Sequence, residues 1–245
     1  MPHQVSPPVV HAMISKSSTP SGVPPTPEEI SSFLDTVFKA QTSQASLDAA
    51  YALTNLLINS VGFRGFRAYG VLDEVRKAAA DKKDGSRRES AMILLGALFE
   101  RFPATQRISE VTFLVQDGGI VSSALDALAD KGAVVRESAQ YALDALFANL
   151  SPESMVVGLL PALSKYLGKR SGKWQGAVGA YELIGRMADK GKMGTGSKEE
   201  ENIKDVLRES MGKKLAGLIP TVEAGMHDLK AEVCVGPGFG SLFVY

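Results

Sequence analysis

The chain has 245 residues, 44% of them hydrophobic and 22% charged, enough to build a sizeable core in one extended architecture or two ordinary domains. Its 27 basic and 27 acidic residues create no global field, so net charge points to neither nucleic acid nor an acidic membrane, and only local patches stay open as docking sites. The single Cys234 excludes an internal disulfide framework and a cysteine-based zinc site, and it fits a reducing compartment.

The chain does not open with a basic segment followed by an apolar core, so no secretory signal is read. The longest apolar run, Met92 to Phe99, is far below the ~20 residues of a membrane span. Residues 1–27 hold seven prolines and seven serines or threonines, with Lys16 as the only formally charged side chain. That composition buries too little apolar area to offset chain entropy, and it predicts a disordered leader.

Helix signals then follow one another with almost no strand pattern. Pro27 and the pair Glu28-Glu29 suit a first helical turn, and Ile30, Phe33, Leu34, Val37 and Phe38 continue as a stripe of period 3.6. A partner helix is predicted over 46–59, with Ala49, Ala52, Leu53, Leu56 and Leu57 on one face. The next pair spans 66–79 and 86–102, the second of these carrying Ala91, Leu94, Leu95, Leu98 and Phe102. Residues 108–115 are ambiguous. A third pair has Val121, Ala124, Leu125 and Leu128 on a helix over 120–129, then Ala139, Ala142, Leu143, Leu146 and Leu150.

The fourth pair carries Val156, Leu159, Leu160, Leu163 and Leu167, then Ala177, Tyr181 and Ile184. Leu159-Leu160-Pro161 recurs as Leu218-Ile219-Pro220, and an internal proline removes a backbone bond, so a shared kink is expected there. Residues 190–202 are hydrophilic and glycine-bearing and are read as a flexible loop. A fifth pair starts beyond it, but the second helix that opens at Asp228 is cut short. Residues 234–245, with Gly236-Pro237-Gly238, cannot continue a helix and are read as a non-helical tail left by truncation.

These pairs are repeats. Arg88-Glu89-Ser90-Ala91 with Leu98-Phe99 returns as Arg136-Glu137-Ser138-Ala139 with Leu146-Phe147 about 48 residues later, the mark of a solenoid whose units bury their apolar faces only by stacking. The second helices are unevenly spaced, by about 42, 48 and 38 residues, which suits HEAT or armadillo units rather than a fixed-length repeat. The predicted fold is therefore an all-α, HEAT/armadillo-type solenoid of about four complete helix pairs plus a truncated fifth, over 28–233. The recurring Arg88, Glu89, Arg136 and Glu137 are expected to organise packing and turns rather than ligands.

Catalytic signals are thin. His3, His11 and His227 are the only histidines, and two lie in the leader, so neither a metal site nor a histidine-based nucleophile system assembles. Gly191-Lys192-Met193-Gly194-Thr195-Gly196-Ser197-Lys198 superficially resembles a phosphate loop. Its order after Gly196 is Ser-Lys, however, and a helix precedes it where the motif needs a strand. No catalytic, cofactor or metal residue is assigned, and the chain is read as a non-enzyme. The one electrostatic feature lies between Glu153 and Glu182, where Lys165, Lys169, Arg170 and Lys173 occur without an acid and Trp174 follows. Such a cluster at a turn suits phosphate oxygens, with the indole packing or stacking. The alternative is that the lysines are solvated and Trp174 belongs to the core.

The blocks Ser171 to Ala180, Arg186 to Lys190, Leu207 to Lys214 and Gly225 to Lys230 resemble the N-terminal HEAT region of fungal elongation factor 3-type proteins. Within that family the resemblance is to the branch containing a prion-forming and an mRNA-export member. It covers about 28–233, and the part after Gly172 is the more specific. The resemblance implies an arm belonging to a long ABC-type ATPase that acts on the ribosome in translation elongation, termination or recycling, or in mRNA export, with the arm contacting ribosomal RNA and protein. ATP belongs to the cassettes of that family, and no residue here is assigned to it. The expected setting is cytoplasmic, with ribosomal or other protein partners, no membrane and no small-molecule substrate. The competing reading is a free-standing HEAT adaptor that binds proteins.

Overall fold

A computed structural model describes residues 24–101, 119–151, 154–168 and 174–192. Helix α1, Pro27–Phe38, starts on a capping box. Thr26 Oγ1 accepts from the Glu29 amide at 3.2 Å and Glu29 Oε2 accepts from the Thr26 amide at 2.8 Å, with Pro27 supplying the pre-set first turn. The residues just before it, assigned by composition to the leader, are part of the packed unit: Pro25 is buried and its carbonyl accepts from Tyr69 Oη at 2.8 Å. Helix α2, Ser43–Val61, is capped by Thr42 and ends at Gly62, whose φ of +71° is the left-handed conformation glycine adopts without a steric penalty.

The single helix expected over 66–79 is two helices, α3 Gly65–Ala68 and α4 Val71–Ala79. Gly70, at φ +68°, turns the chain between them, a break that the apolar period alone does not reveal. Helix α5, Gly85–Glu100, is capped by Asp84; α6 is Ile120–Ala127 and α7 is Ala133–Asn149. A π-helical turn, Met155–Leu159, runs directly into α8, Leu160–Gly168, and α9 is Trp174–Lys192. The kink expected at Pro161 takes the form of that wider turn. Proline offers no amide and crowds the carbonyl one turn back, which a widened turn relieves. Helix α9 extends into the stretch read as a loop from 190. The rest of that loop, the ambiguous 108–115, the fifth pair and the 234–245 tail lie outside the described residues.

The four pairs, α1/α2, α3–α4/α5, α6/α7 and α8/α9, stack as an all-α solenoid. Most of the expected stripes face the core. Ile30, Leu34 and Val37 are buried, as are Leu53 and Leu57, Ala124 and Leu125, and Leu160 and Leu163. Ala52 is exposed instead, and Ala177 is half-buried.

Helix α5 departs furthest from the pattern. Every residue from Ser90 to Phe99 is buried, so Met92, Ile93, Gly96, Ala97 and Phe99 join the expected stripe. A helix apolar on all sides sits in the middle of a protein, and α5 is enclosed by α1, α2, α4 and α7. Its small residues let the neighbours close in. A Cβ on Gly96 would stand 2.1 Å from Cε1 of Tyr141 on α7. The Tyr141 hydroxyl meets that of Tyr51 on α2 at 3.3 Å, joining the first and third units across the second. Tyr51 also donates to the Glu100 carboxylate.

The repeated arginine explains how units lock together. Arg88 is 7% exposed and grips Asp130 of the next unit's turn through Nε at 2.6 Å and Nη2 at 3.0 Å, while Nη1 donates to the Asp81 carbonyl at 2.7 Å. Its counterpart Arg136 is exposed and donates to the carbonyls of Asp130 and Lys131 at 2.8 and 3.2 Å. Both arginines thus bind the turn before their own helix, the packing role expected from the repeat.

Candidate functional site

The residues singled out for an anionic partner frame the turn between α8 and α9. Helix α8 is fixed by Leu160 and Leu163, and by Tyr166, whose hydroxyl donates to Asp126 Oδ1 of α6 at 2.8 Å. Burial first, and then that hydrogen bond, push the Tyr166 phenol above its usual range, so the tether holds its proton throughout the neutral range. With Tyr166 facing inward, Lys165 in the last turn of α8 points outward and is exposed.

Helix α9 opens on Trp174 and then makes its closest approach through glycines. A Cβ on Gly176 would stand 2.1 Å from Tyr166 Oη and 2.8 Å from the Leu125 carbonyl oxygen. One on Gly179 would stand 2.4 Å from Leu128 Cδ1. Successive helical residues are set about 100° apart, so Trp174 lies roughly 200° around the helix from Gly176, away from that contact. The indole is 38% exposed, one of the large apolar side chains facing solvent among the described residues. The sequence leaves open whether Trp174 is core or surface, and the structure places it on the surface. The deciding signal, the Gly176 and Gly179 pair that takes the packing contact, is present in the sequence but is easily read as loop character.

Lys165 and Trp174 therefore stand on the two helices that flank one turn. Lys169, Arg170 and Lys173 fall between the two helices in sequence and lie outside the described residues. Arg186, about three turns along α9 from Trp174, pairs with Asp144 Oδ1 of α7 at 2.6 Å and lies over the Phe147 ring at 4.2 Å. This cation is already engaged and does not add to the patch. Among the described residues no group of three or more His, Cys, Asp or Glu side chains is placed to hold a metal ion, and no helix is long and apolar enough to cross a membrane. Of the segment resembling a phosphate loop, Gly191 and Lys192 are the end of α9 and the remainder lies outside the described residues.

Residues 46–199 match the family described as the EF3 N-terminal HEAT repeat. The chain is 30% identical over 206 residues to the mRNA export factor elf1 of Schizosaccharomyces pombe, an alignment that covers 84% of this chain and 17% of that protein. It is 26% identical over 131 residues to the NU+ prion formation protein 1 of Saccharomyces cerevisiae, covering 54% of this chain and 10% of that protein. The chain thus spans less than a fifth of the length of either relative.

Proposed function

The chain belongs to the EF3 N-terminal HEAT repeat family, and on that premise we propose that it is the HEAT arm of an elongation factor 3-like ABC protein. In this reading it works by binding, not catalysis, at ribosomes or messenger RNA in the cytoplasm, in translation or mRNA export. The observation that carries the proposal is the similarity to a protein named for mRNA export over 84% of the chain. ATP hydrolysis is assigned to other parts of such proteins, because no Gly-x-x-x-x-Gly-Lys-Ser/Thr run occurs in these residues.

The chemistry of the reading is simple. Stacked units hold α8 and α9 in fixed register, and in this reading Lys165 on α8, with Lys169, Arg170 and Lys173 that follow it in sequence, supplies cations to phosphate oxygens. Trp174, with its ring in solvent, offers a face for an unstacked base or an aliphatic protein surface. Each phosphate neutralised releases counterions, so binding must weaken steeply with salt.

Co-sedimentation with purified ribosomes, and with poly(A) RNA, in low and high salt tests the proposal. The wild-type chain is expected to pellet in low salt and release in high salt. Lys169→Glu/Arg170→Glu/Lys173→Glu is expected to lower binding by about tenfold or more and to flatten the salt dependence. Unchanged binding by that variant removes the site. Absence of binding at any salt favours the protein-only adaptor.

A further inference from the structure

Three of the second helices share a Tyr-x-Leu run, Tyr51-Ala52-Leu53 in α2, Tyr141-Ala142-Leu143 in α7 and Tyr181-Glu182-Leu183 in α9. Setting the tyrosines in register places Gln44, Val134 and Trp174 at one position, seven residues earlier. All three side chains are exposed, Val134 by 51% and Trp174 by 38%. The position faces solvent in each of these units, and the fold accepts a polar or a β-branched side chain there. Packing therefore does not account for an indole in the fourth unit.

The charges around the indole are one-sided. Lys165 is exposed, and the next residue, Tyr166, meets α9 at Gly176, where a Cβ would stand 2.1 Å from its hydroxyl oxygen. Lys165 is one residue from that contact and Trp174 is two, so cation and indole belong to one helix junction. Asp126, the carboxylate that Tyr166 brings to this junction, is on the Gly176 side of α9, which lies roughly 200° around the helix from Trp174. Between Glu153 and Glu182 the sequence holds four cations and no acid. A cleft of about 610 Å³ between the second and third units makes the contrast, since Lys82 and Lys131 on its banks stand beside Asp81 and Asp126 and it selects neither sign.

Resting on the RNA-binding reading above, we propose that Trp174 is a stacking platform for an unpaired base of single-stranded RNA, with Lys165 taking a neighbouring phosphate. An indole gains from stacking only where a base offers a free face, and inside a duplex both faces are covered by the neighbouring pairs. Phosphate contacts alone do not make that distinction, because single and double strands both carry them. The ring thus supplies the preference for single strands, and the cations supply the salt dependence. Every base has a π face, so no strong sequence preference is expected. An aliphatic protein surface also fits an exposed indole but gains nothing from the surrounding cations, which makes RNA the better match.

Trp174 is the only tryptophan in the chain, so indole emission excited outside the tyrosine absorption band reports this ring alone. Oligouridine and an RNA duplex of the same length are titrated against the full chain in low salt. Anisotropy of labelled RNA measures binding, and quenching of the indole by unlabelled RNA measures stacking. Wild type is compared with Trp174→Ala, Trp174→Phe and Lys165→Gln, each checked for an unchanged helical circular dichroism spectrum. Oligouridine is expected to quench the indole and the duplex is not. Trp174→Ala is expected to bind oligouridine about tenfold more weakly, with duplex binding and the slope of affinity against salt unchanged, and Trp174→Phe to recover most of the loss. Lys165→Gln is expected to lower the salt slope by about one. Oligouridine that binds without quenching, or that binds Trp174→Ala as tightly as wild type, removes the stacking role and leaves the phosphate contact standing; a protein surface is then the occupant of the indole. Equal quenching by the duplex removes the preference for single strands, and an unchanged slope removes Lys165. If neither RNA binds the wild-type chain, the RNA-binding reading itself fails and the stacking role falls with it.

Discussion

Arg-Glu-Ser-Ala occurs twice, once in α5 and once in α7, and the two copies lead different lives. In α5 the arginine is 7% exposed and Ser90 is buried; in α7 the arginine is exposed and Ser138 is half-buried. The cause lies one unit downstream. Arg88 meets Asp130 in the turn before α7, whereas the turn before α9 lies in the stretch between Glu153 and Glu182 that contains no acid. Packing follows the same division. The second helices α5 and α7 lie against each other along their length, with a glycine set beneath a tyrosine ring. Helix α9 packs instead on α6 and α8 and reaches α7 through the long Arg186 side chain. A repeated motif thus specifies where an arginine stands, and the next unit decides what it is worth.

The sharpest way to break the comparison is Asp130→Ala. It leaves Arg88 without its carboxylate in a nearly closed site, with an expected loss of about 3 kcal/mol or more. Arg136→Ala removes only exposed contacts to carbonyls and is expected to cost less than about 1 kcal/mol. Urea unfolding of the two variants checks both figures, and similar losses would show that the two copies are equivalent after all.

Next in size is Gly96→Ala, where the added methyl meets the Tyr141 ring at 2.1 Å; the expected cost is about 1–3 kcal/mol. Adding Tyr141→Leu is expected to return part of it, since the two sites touch and are not additive. Simple additivity would place the obstruction elsewhere.

The smallest effect is in the pH dependence. Burial, foremost, raises the phenols of Tyr51 and Tyr141 above their usual range, and the neighbouring Glu100 carboxylate adds to it. The unfolded chain ionises these tyrosines near pH ~10 while the folded chain keeps them protonated, so their contribution is present below that pH and falls as pH rises beyond it. Urea midpoints measured across the alkaline range are expected to decline, and Tyr141→Phe is expected to flatten the decline. An unchanged slope would remove Tyr141 from the account.

Much of the fold was legible in the sequence because a helix shows its buried side as a stripe, and Leu34, Leu53, Leu125, Leu146 and Leu163 all lie on such stripes and are buried. What a stripe cannot convey is burial from several directions. Met92 and Phe99 fall outside the expected stripe of α5 yet are buried, because α1, α2, α4 and α7 surround that helix. The break at Gly70 was hidden because Val71, Val75 and Ala78 keep helical spacing right up to it, and nothing in that stripe marks the left-handed residue that precedes it. At the candidate site, charge clustering pointed to Lys165 and Trp174, but the orientation of the indole depends on Gly176 and Gly179, and a missing side chain leaves no periodic trace. The cleft between the second and third units had no sequence signature, because Lys82 and Lys131 on its two banks lie about 49 residues apart.

The hydroxyl contact between Tyr51 and Tyr141 has a mechanical consequence. A stack in which each unit touches only the next bends like springs joined end to end, and every junction adds its own compliance. A bridge from the first unit to the third sets two of those springs side by side, so the block from α1 to α7 resists bending as one lever. Bending is then left to the junction beyond α7, which α9 meets through the Arg186 side chain while its own packing is on α6 and α8.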